Sequence, residues 1–301
     1  MPKAVLTGLR KYPLRISVIC AMLDSGGSSG RLRRDYKIVS PGDMRRAFLA
    51  LANTSPVMES LFNYRFEVGE LKGHNFANLF ITALELVTND YERTIKEVRR
   101  ILKVRHEVLP STLDKANLYA ELENGKIISG EGNVDIPKHN GNLKIKKVFL
   151  KPKVKAFPKT LGVIKKADMI IIGPGDLYSS LVQILLTEGI PEAIVKSRAK
   201  KVFICNLMTK YGETNHFNVL DFAEEIEKYL GGKLDLVIYN NQIPGEERLM
   251  GYKDKHPELL ELVKIDKKLP KKKFVGKNLI PKAGPIEHDP EKVAKVVLSL
   301  L

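Results

Sequence analysis

Four short apolar runs in this 301-residue chain each stop at residues suited to holding an anion or a polar ligand. Asp24-Ser-Gly-Gly-Ser-Ser-Gly30 follows Ile16-Ser-Val-Ile-Cys-Ala-Met22, and Gly173-Pro-Gly-Asp176 follows Met169-Ile-Ile-Ile172. Asn206 follows Val202-Phe-Ile-Cys205, and Asn240-Asn241 follows Leu236-Val-Ile-Tyr239. In the first loop Gly26, Gly27 and Gly30 let backbone amides approach a phosphate closely, while Ser28 and Ser29 add hydroxyls and Arg31 adds charge. In the second, Gly173 and Gly175 turn the chain so that amides about 176–179 open the next helix toward the ligand. That loop lacks the third glycine of a dinucleotide fingerprint and the lysine of a P-loop, which argues against a classical NAD site and a Walker ATP site.

Other residues carry weaker signals. His74 and Asn78 share one helical face at i, i+4 near a helix start. Asp43, in Pro41-Gly-Asp43, reads as an N-cap or as a substrate or metal contact, and Asp176 likewise as an N-cap or a ligand contact. Asn206, Thr209 and Gly212-Glu-Thr214 either hydrogen-bond a ribose, base or sugar or simply form turns. Tyr178 either stacks on a ligand or fills the core. Asp24, Asp43 and Asp176 offer carboxylates that Mg²⁺ takes together with phosphate oxygens. Read literally, Gly26-Gly-Ser28-Ser-Gly30 also fits the hydrolase elbow G-x-S-x-G, with His216 or His288 as its histidine, although nothing marks an oxyanion loop.

The elements that must position these residues follow from periodicity. The four apolar runs have the length and β-branching of buried parallel strands, and a ligand crevice lies beyond the carboxyl ends of such strands. Apolar spacing at i, i+3, i+4 predicts helices over 177–198 and 218–230, so 168–241 reads as β-α-β-α-β. Further helices are expected at 44–52, 75–87, 91–102 and, after Asp289-Pro-Glu, at 290–300. Residues 118–150 alternate instead, and Glu123-Asn-Gly-Lys126 predicts a type I′ hairpin within a small antiparallel insertion. The whole reads as one α/β domain, a doubly wound, mostly parallel sheet over 1–301. It carries a β insertion at about 105–155 and a basic loop plus terminal helix at about 242–301.

The formal net charge is +15 and 44% of residues are hydrophobic, enough for a full core. Lysines crowd 144–166 and 264–282, where they read as solvated faces, and no nucleic-acid-binding signature accompanies them. Cys20 and Cys205 lie singly within apolar runs, which argues against a disulfide framework or a zinc or iron–sulfur site and points to reducing cytoplasm. No apolar stretch approaches about 18 residues, so no membrane insertion is expected.

Nine motifs in order carry a resemblance to a known family. They are Asp24-Ser-Gly-Gly-Ser-Ser-Gly-Arg-Leu32, Pro41-Gly-Asp43, Tyr64-Arg-Phe66, Gly73-His74 with Asn78, Val108-Leu-Pro110 with Thr112-Leu113, Ile172-Gly-Pro-Gly-Asp-Leu-Tyr-Ser179, Cys205-Asn-Leu-Met-Thr209, Gly212-Glu-Thr214 and His288-Asp-Pro290. Together they resemble the CofD-like (2-phospho-L-lactate transferase-like) superfamily, and within it the YvcK-type gluconeogenesis factors. The resemblance implies a three-layer, Rossmann-like α/β/α fold. It also implies a cytosolic binder of UDP-sugars or other nucleotides that regulates carbon metabolism, cell-wall synthesis and cell shape, with self-association into a homo-oligomer left open. The transferase branch implies the alternative, a Mg²⁺-dependent enzyme that moves a phospholactyl group from a guanylylated donor, with Asp24, Asp43 and His74 as its catalytic and metal candidates. By motif, Asp24, Gly26, Gly27, Ser28, Ser29, Gly173, Gly175, Asp176, Tyr178, Asn206 and Thr209 would surround the nucleotide, with Asp43, His74 and Asn78 nearer the distal group. Members of the family usually begin with a strand and a Gly-Gly-Gly-Thr-Gly loop, of which only Gly8 has a counterpart here. That departure predicts an open sheet edge or crevice wall.

Overall fold

The computed structural model describes residues 3–301. Its strands, in chain order, are β1 (Ser17–Cys20), β2 (Glu107–Pro110), β3 (Asn117–Leu122), β4 (Ile127–Ser129), β5 (Ile145–Lys151), β6 (Met169–Ile172), β7 (Lys200–Ile204), β8 (Met208–Lys210), β9 (Leu236–Asn240), β10 (Leu259–Leu262) and β11 (Phe274–Lys277). Four of them form the central parallel sheet, in the order β11-β9-β7-β6. Val202, Phe203, Val237 and Ile238 are fully buried along it, as expected for strands covered on both faces.

Three layers follow from those two covered faces. Helices Lys3–Leu9 and Pro290–Leu298 pack on one face through Val5, Leu9, Val293 and Val297. Helix Val219–Leu230 packs on the other through Phe222, Ile226 and Leu230, together with the antiparallel sheet β4-β3-β5. In that insertion Leu118, Ala120 and Leu122 alternate inward along β3, which is the period-2 pattern that marked it in the sequence.

The first apolar run stands apart from the other three. β1 pairs in parallel with β2 alone, and β6 pairs with β7 alone, so among the described residues each leaves one edge without a partner strand. Beside β1, a cleft of about 40 Å³ is lined by Val18 and Ile19 of that strand, Asp43 and Ala47, and Ser180, Leu181 and Ile184 from the segment after β6. Helix Lys3–Leu9 bridges the two sheets: Leu6 belongs to the β1 core, whereas Val5 and Leu9 belong to the β7–β9 core.

Three local expectations need correction. The hairpin between β3 and β4 forms, but only Gly125 has positive φ, and its amide donates to Leu122 O. It is therefore a three-residue turn closed by a left-handed glycine rather than type I′, which needs positive φ at two residues. The helix expected over 177–198 is broken into Leu177–Val182, which is π-helical, a short continuation and Ile190–Lys196. Gly189 at φ +97° and the proline after Ile190 impose the break. Asp43 does not cap: helix Gly42–Leu51 begins at Pro41, and Asp43 sits inside the first turn, ion-paired with Arg46.

Candidate functional site

The loop after β1 is closed by its own backbone and by the insertion. Gly30 N donates to Gly26 O, and a Cβ at Gly30 would sit 1.9 Å from Ser25 O, so the turn admits only glycine there. Ser25 N donates to Glu131 Oε2, Gly132 N donates to Ser25 Oγ, and Gly26 N donates to Asp24 Oδ1. The amides of Gly27, Ser28 and Ser29 open helix Gly27–Tyr36 with no capping side chain and no backbone acceptor among the described residues. They form an anion-ready helix N-terminus.

The hydroxyls expected to join those amides are already engaged. Ser28 Oγ bonds His74 Nδ1 at 3.1 Å and accepts from Asn75 N at 3.3 Å, and Ser29 Oγ accepts from Asn78 Nδ2 at 3.2 Å. They fasten the start of helix Phe76–Thr88 to the loop, so His74 and Asn78 do meet the Ser28–Ser29 pair. Gly42 allows this closeness, since a Cβ there would lie 2.6 Å from Ser29 Oγ and 2.8 Å from Asp24 Oδ2. Ser28 is almost fully buried within a helix and its partner is His74, not His216 or His288. That geometry does not make the exposed nucleophile of a hydrolase elbow.

Arginines enter here that spacing did not single out. Arg45 and Arg46 project from helix Gly42–Leu51, and Arg45 Nε is buried with no hydrogen-bond partner among the described residues. Burial, together with neighbouring Arg46 and Arg65, pushes Arg45 down to about 10. Arg46 feels Asp43 most strongly but also Asp24 and Asp176, so it links the first loop electrostatically to the second. A pair of arginines one turn inside a strand-to-helix loop is the sequence signal that would have flagged them.

The second loop differs from its expected role. Tyr178 N (2.8 Å) and Ser179 N (3.3 Å) both donate to Glu213 Oε2, and Ser179 Oγ donates to Glu213 Oε1. The protein's own carboxylate thus fills the place where a phosphate was expected. Burial pushes Glu213 up to about 7, with Lys210 acting in the opposite direction. The buried Lys210 ammonium lies among Asp135, Asp176 (3.4 Å) and Glu213 (3.3 Å), whose oxygens fall within 4.8 Å of one another. Burial alone would lower Lys210, but Glu213, Asp176 and Asp135 together hold it well above its ordinary value.

This arrangement does not suit Mg²⁺. The one carboxylate trio found among the described residues holds a lysine, Asp43 is tied to Arg46, and Asp24 accepts from Gly26 N. Tyr178 fills the core: it is 1% exposed, and its hydroxyl donates to Glu225. Thr209 is also fully buried, its hydroxyl bonded to the Glu261 backbone. Neither presents a group to a ligand.

A cavity of about 470 Å³ opens at the carboxyl ends of β6 and β7, lined by Thr7, Gly175, Asp176, Asn206, Leu259 and His288 among others. Asn206 Nδ2 donates to Gly175 O at 2.8 Å, holding that loop against the end of β7. Burial pushes His288 down to about 4, against a hydrogen bond to the Cys205 backbone, so its ring is neutral. Asp24, Ser28 and Ser29 are not on this wall, so the predicted residues divide into two groups, one at the first loop and one at the cavity.

The split strand-end crevice on a three-layer α/β scaffold defines a class of protein. Residues 3–280 match the model of 2-phospho-L-lactate transferase CofD, and the chain belongs to that family. Within it the chain falls in the gluconeogenesis-factor branch. It is 38% identical over 307 residues to the gluconeogenesis factor of Bacillus subtilis, covering 99% of this chain and 94% of that one. A relative from Clostridium acetobutylicum, described as a "putative gluconeogenesis factor", is 38% identical over 99% of this chain, which spans only 66% of that protein's length. A crystal structure of a Bacillus halodurans protein superposes with a TM-score of 0.90 at 35% identity, covering 98% of this chain and 95% of that one.

Proposed function

We propose that this protein binds a nucleotide-sugar, with UDP-sugars as the first candidates, and acts as a cytoplasmic regulator of carbon metabolism, cell-wall synthesis and cell shape. The observation that carries the reading is the 470 Å³ cavity at the carboxyl ends of β6 and β7, the place where open α/β sheets bind nucleotides. The division of charge supports it. Free amides at Gly27, Ser28 and Ser29 with Arg45 and Arg46 suit a diphosphate, whereas the cavity, with Asp176 and Glu287 on its wall, suits an uncharged nucleoside. Asp43, His74 and Asn78 stand on the diphosphate side, where the distal group would lie.

A binder is favoured over a Mg²⁺-dependent transferase because Lys210 already supplies a cation to the acidic trio. The test is thermal unfolding of the purified protein with UDP-N-acetylglucosamine, UDP-glucose, GDP and GTP, each with and without Mg²⁺. At a hundredfold excess over Kd a ligand should stabilise by about 2.7 kcal/mol. The expected result is a shift with UDP-sugars that Mg²⁺ does not change. A Mg²⁺-dependent shift with guanine nucleotides, and product from a guanylylated donor that is lost in Asp43→Asn, would put the transferase first.

A further inference from the structure

Two residues that line the cavity each carry a buried polar atom with no partner among the described residues. In Asn206 the amide nitrogen is committed to Gly175 O, which leaves Oδ1 buried and unbonded. In His288, 9% exposed, Nε2 is buried and unbonded. The two residues come from opposite ends of the chain, one after β7 and the other just before helix Pro290–Leu298, yet both line the same cavity. Buried polar atoms are nearly always paired, so two orphans on one wall indicate that something outside the chain completes them.

We infer that Asn206 and His288 form an acceptor pair that reads hydrogen-bond donors on the nucleoside end of the ligand, a specificity element of the cavity. The inference rests on the nucleotide reading above and adds which end of the nucleotide enters the cavity and how it is recognised. The amide oxygen can only accept by its chemistry, and the imidazole, held neutral by burial, accepts at Nε2 in the tautomer that carries its proton on Nδ1. Asp176 and Glu287 add further acceptors to the wall, and of the side chains there only Lys3 and Thr7 offer donors. A phosphate, which has only acceptor oxygens at neutral pH, is mismatched to such a wall. The ribose hydroxyls and the base N–H groups are matched to it. A cavity built to hydrogen-bond a donor rejects the analogue that lacks it, because its buried acceptors are then left bare.

The test measures binding of UDP and GDP by calorimetry, alongside 2′,3′-dideoxy-UDP, 2′,3′-dideoxy-GDP and N3-methyl-UDP. Wild-type protein should lose about tenfold or more in affinity for at least one analogue relative to its parent. The dideoxy arms report ribose hydroxyls and the N3-methyl arm reports the base N–H. In His288→Phe and Asn206→Leu the parent should bind as weakly as that analogue, so the preference itself disappears. Analogues that all bind wild-type protein as tightly as their parents would overturn the inference while leaving nucleotide binding intact. Failure of both UDP and GDP to bind would overturn the underlying reading and this inference with it. If a variant does not fold, the analogue series on wild-type protein decides.

Discussion

Glu131 is the side chain whose protonation matters most to the first loop. Burial and then the charge of Asp24 raise it to about 9, so it is a neutral acid while holding the Ser25 amide. Its folded pKa lies above the ordinary carboxylate value, so its contribution to stability is fully present at low pH. That contribution declines as pH rises from about 4.5 toward 9, because the unfolded chain ionises freely and the folded one does not. Urea titrations of wild type and Glu131→Gln should therefore diverge with pH, the variant gaining relative stability between pH 5 and 9 on the order suggested by those pKa limits. A constant difference across that range would contradict a Glu131 held protonated by its surroundings. Glu213 carries a different burden: it takes the amides of Tyr178 and Ser179, so Glu213→Ala leaves two buried donors without an acceptor while Asp135 and Asp176 still face Lys210. About 2–5 kcal/mol of stability should be lost in denaturant unfolding.

Helix Lys3–Leu9 is short for an element that borders the cavity and bridges both sheets. It holds its place by direct backbone contact: a Cβ at Gly8 would lie 2.1 Å from Pro290 O, at the start of the C-terminal helix. Gly8→Ala must therefore push the two helices apart, and a loss of about 1–3 kcal/mol is expected in urea unfolding, as for other overpacked contacts. The C-terminal helix is fixed in turn by Asp289, whose carboxylate accepts from Glu291 N and Lys292 N, and which directly follows His288. The cap was readable from Asp289-Pro-Glu; its proximity to Gly8 was not, because 281 residues intervene and no local pattern encodes the meeting.

The two largest cores of this molecule lie apart, one around β1 and β2 with the helices of residues 42–101, the other around β3 to β7 and β9. Leu6 is the residue of the bridging helix that belongs to the first core, so Leu6→Ala should cost about 2–5 kcal/mol. The loss should register in hydrogen exchange as faster opening of β1 and β2 amides, with β7 and β9 less affected; uniform acceleration would mean that the halves unfold as one. The strands β6, β7 and β9, the inserted hairpin and the helices Phe76–Thr88, Tyr91–Ile101, Val219–Leu230 and Pro290–Leu298 were legible in the 301 residues, because β-branched runs, period-2 alternation and capping residues act over a few positions. Gly, Ser, Asp and Asn at the strand ends were readable too, but there they either form turns and caps or face a ligand. Which of them remain free was decided by distant parts of the chain. Glu213 arrives from beyond β8 to take the amides of the second loop, His74 and Asn78 take the hydroxyls of the first, and Tyr178 and Thr209 sink into the core. The pairing of His288 with Asn206 on one wall likewise follows from packing the C-terminal helix against the first, a contact set by side-chain volume and backbone approach rather than by any spacing along the sequence.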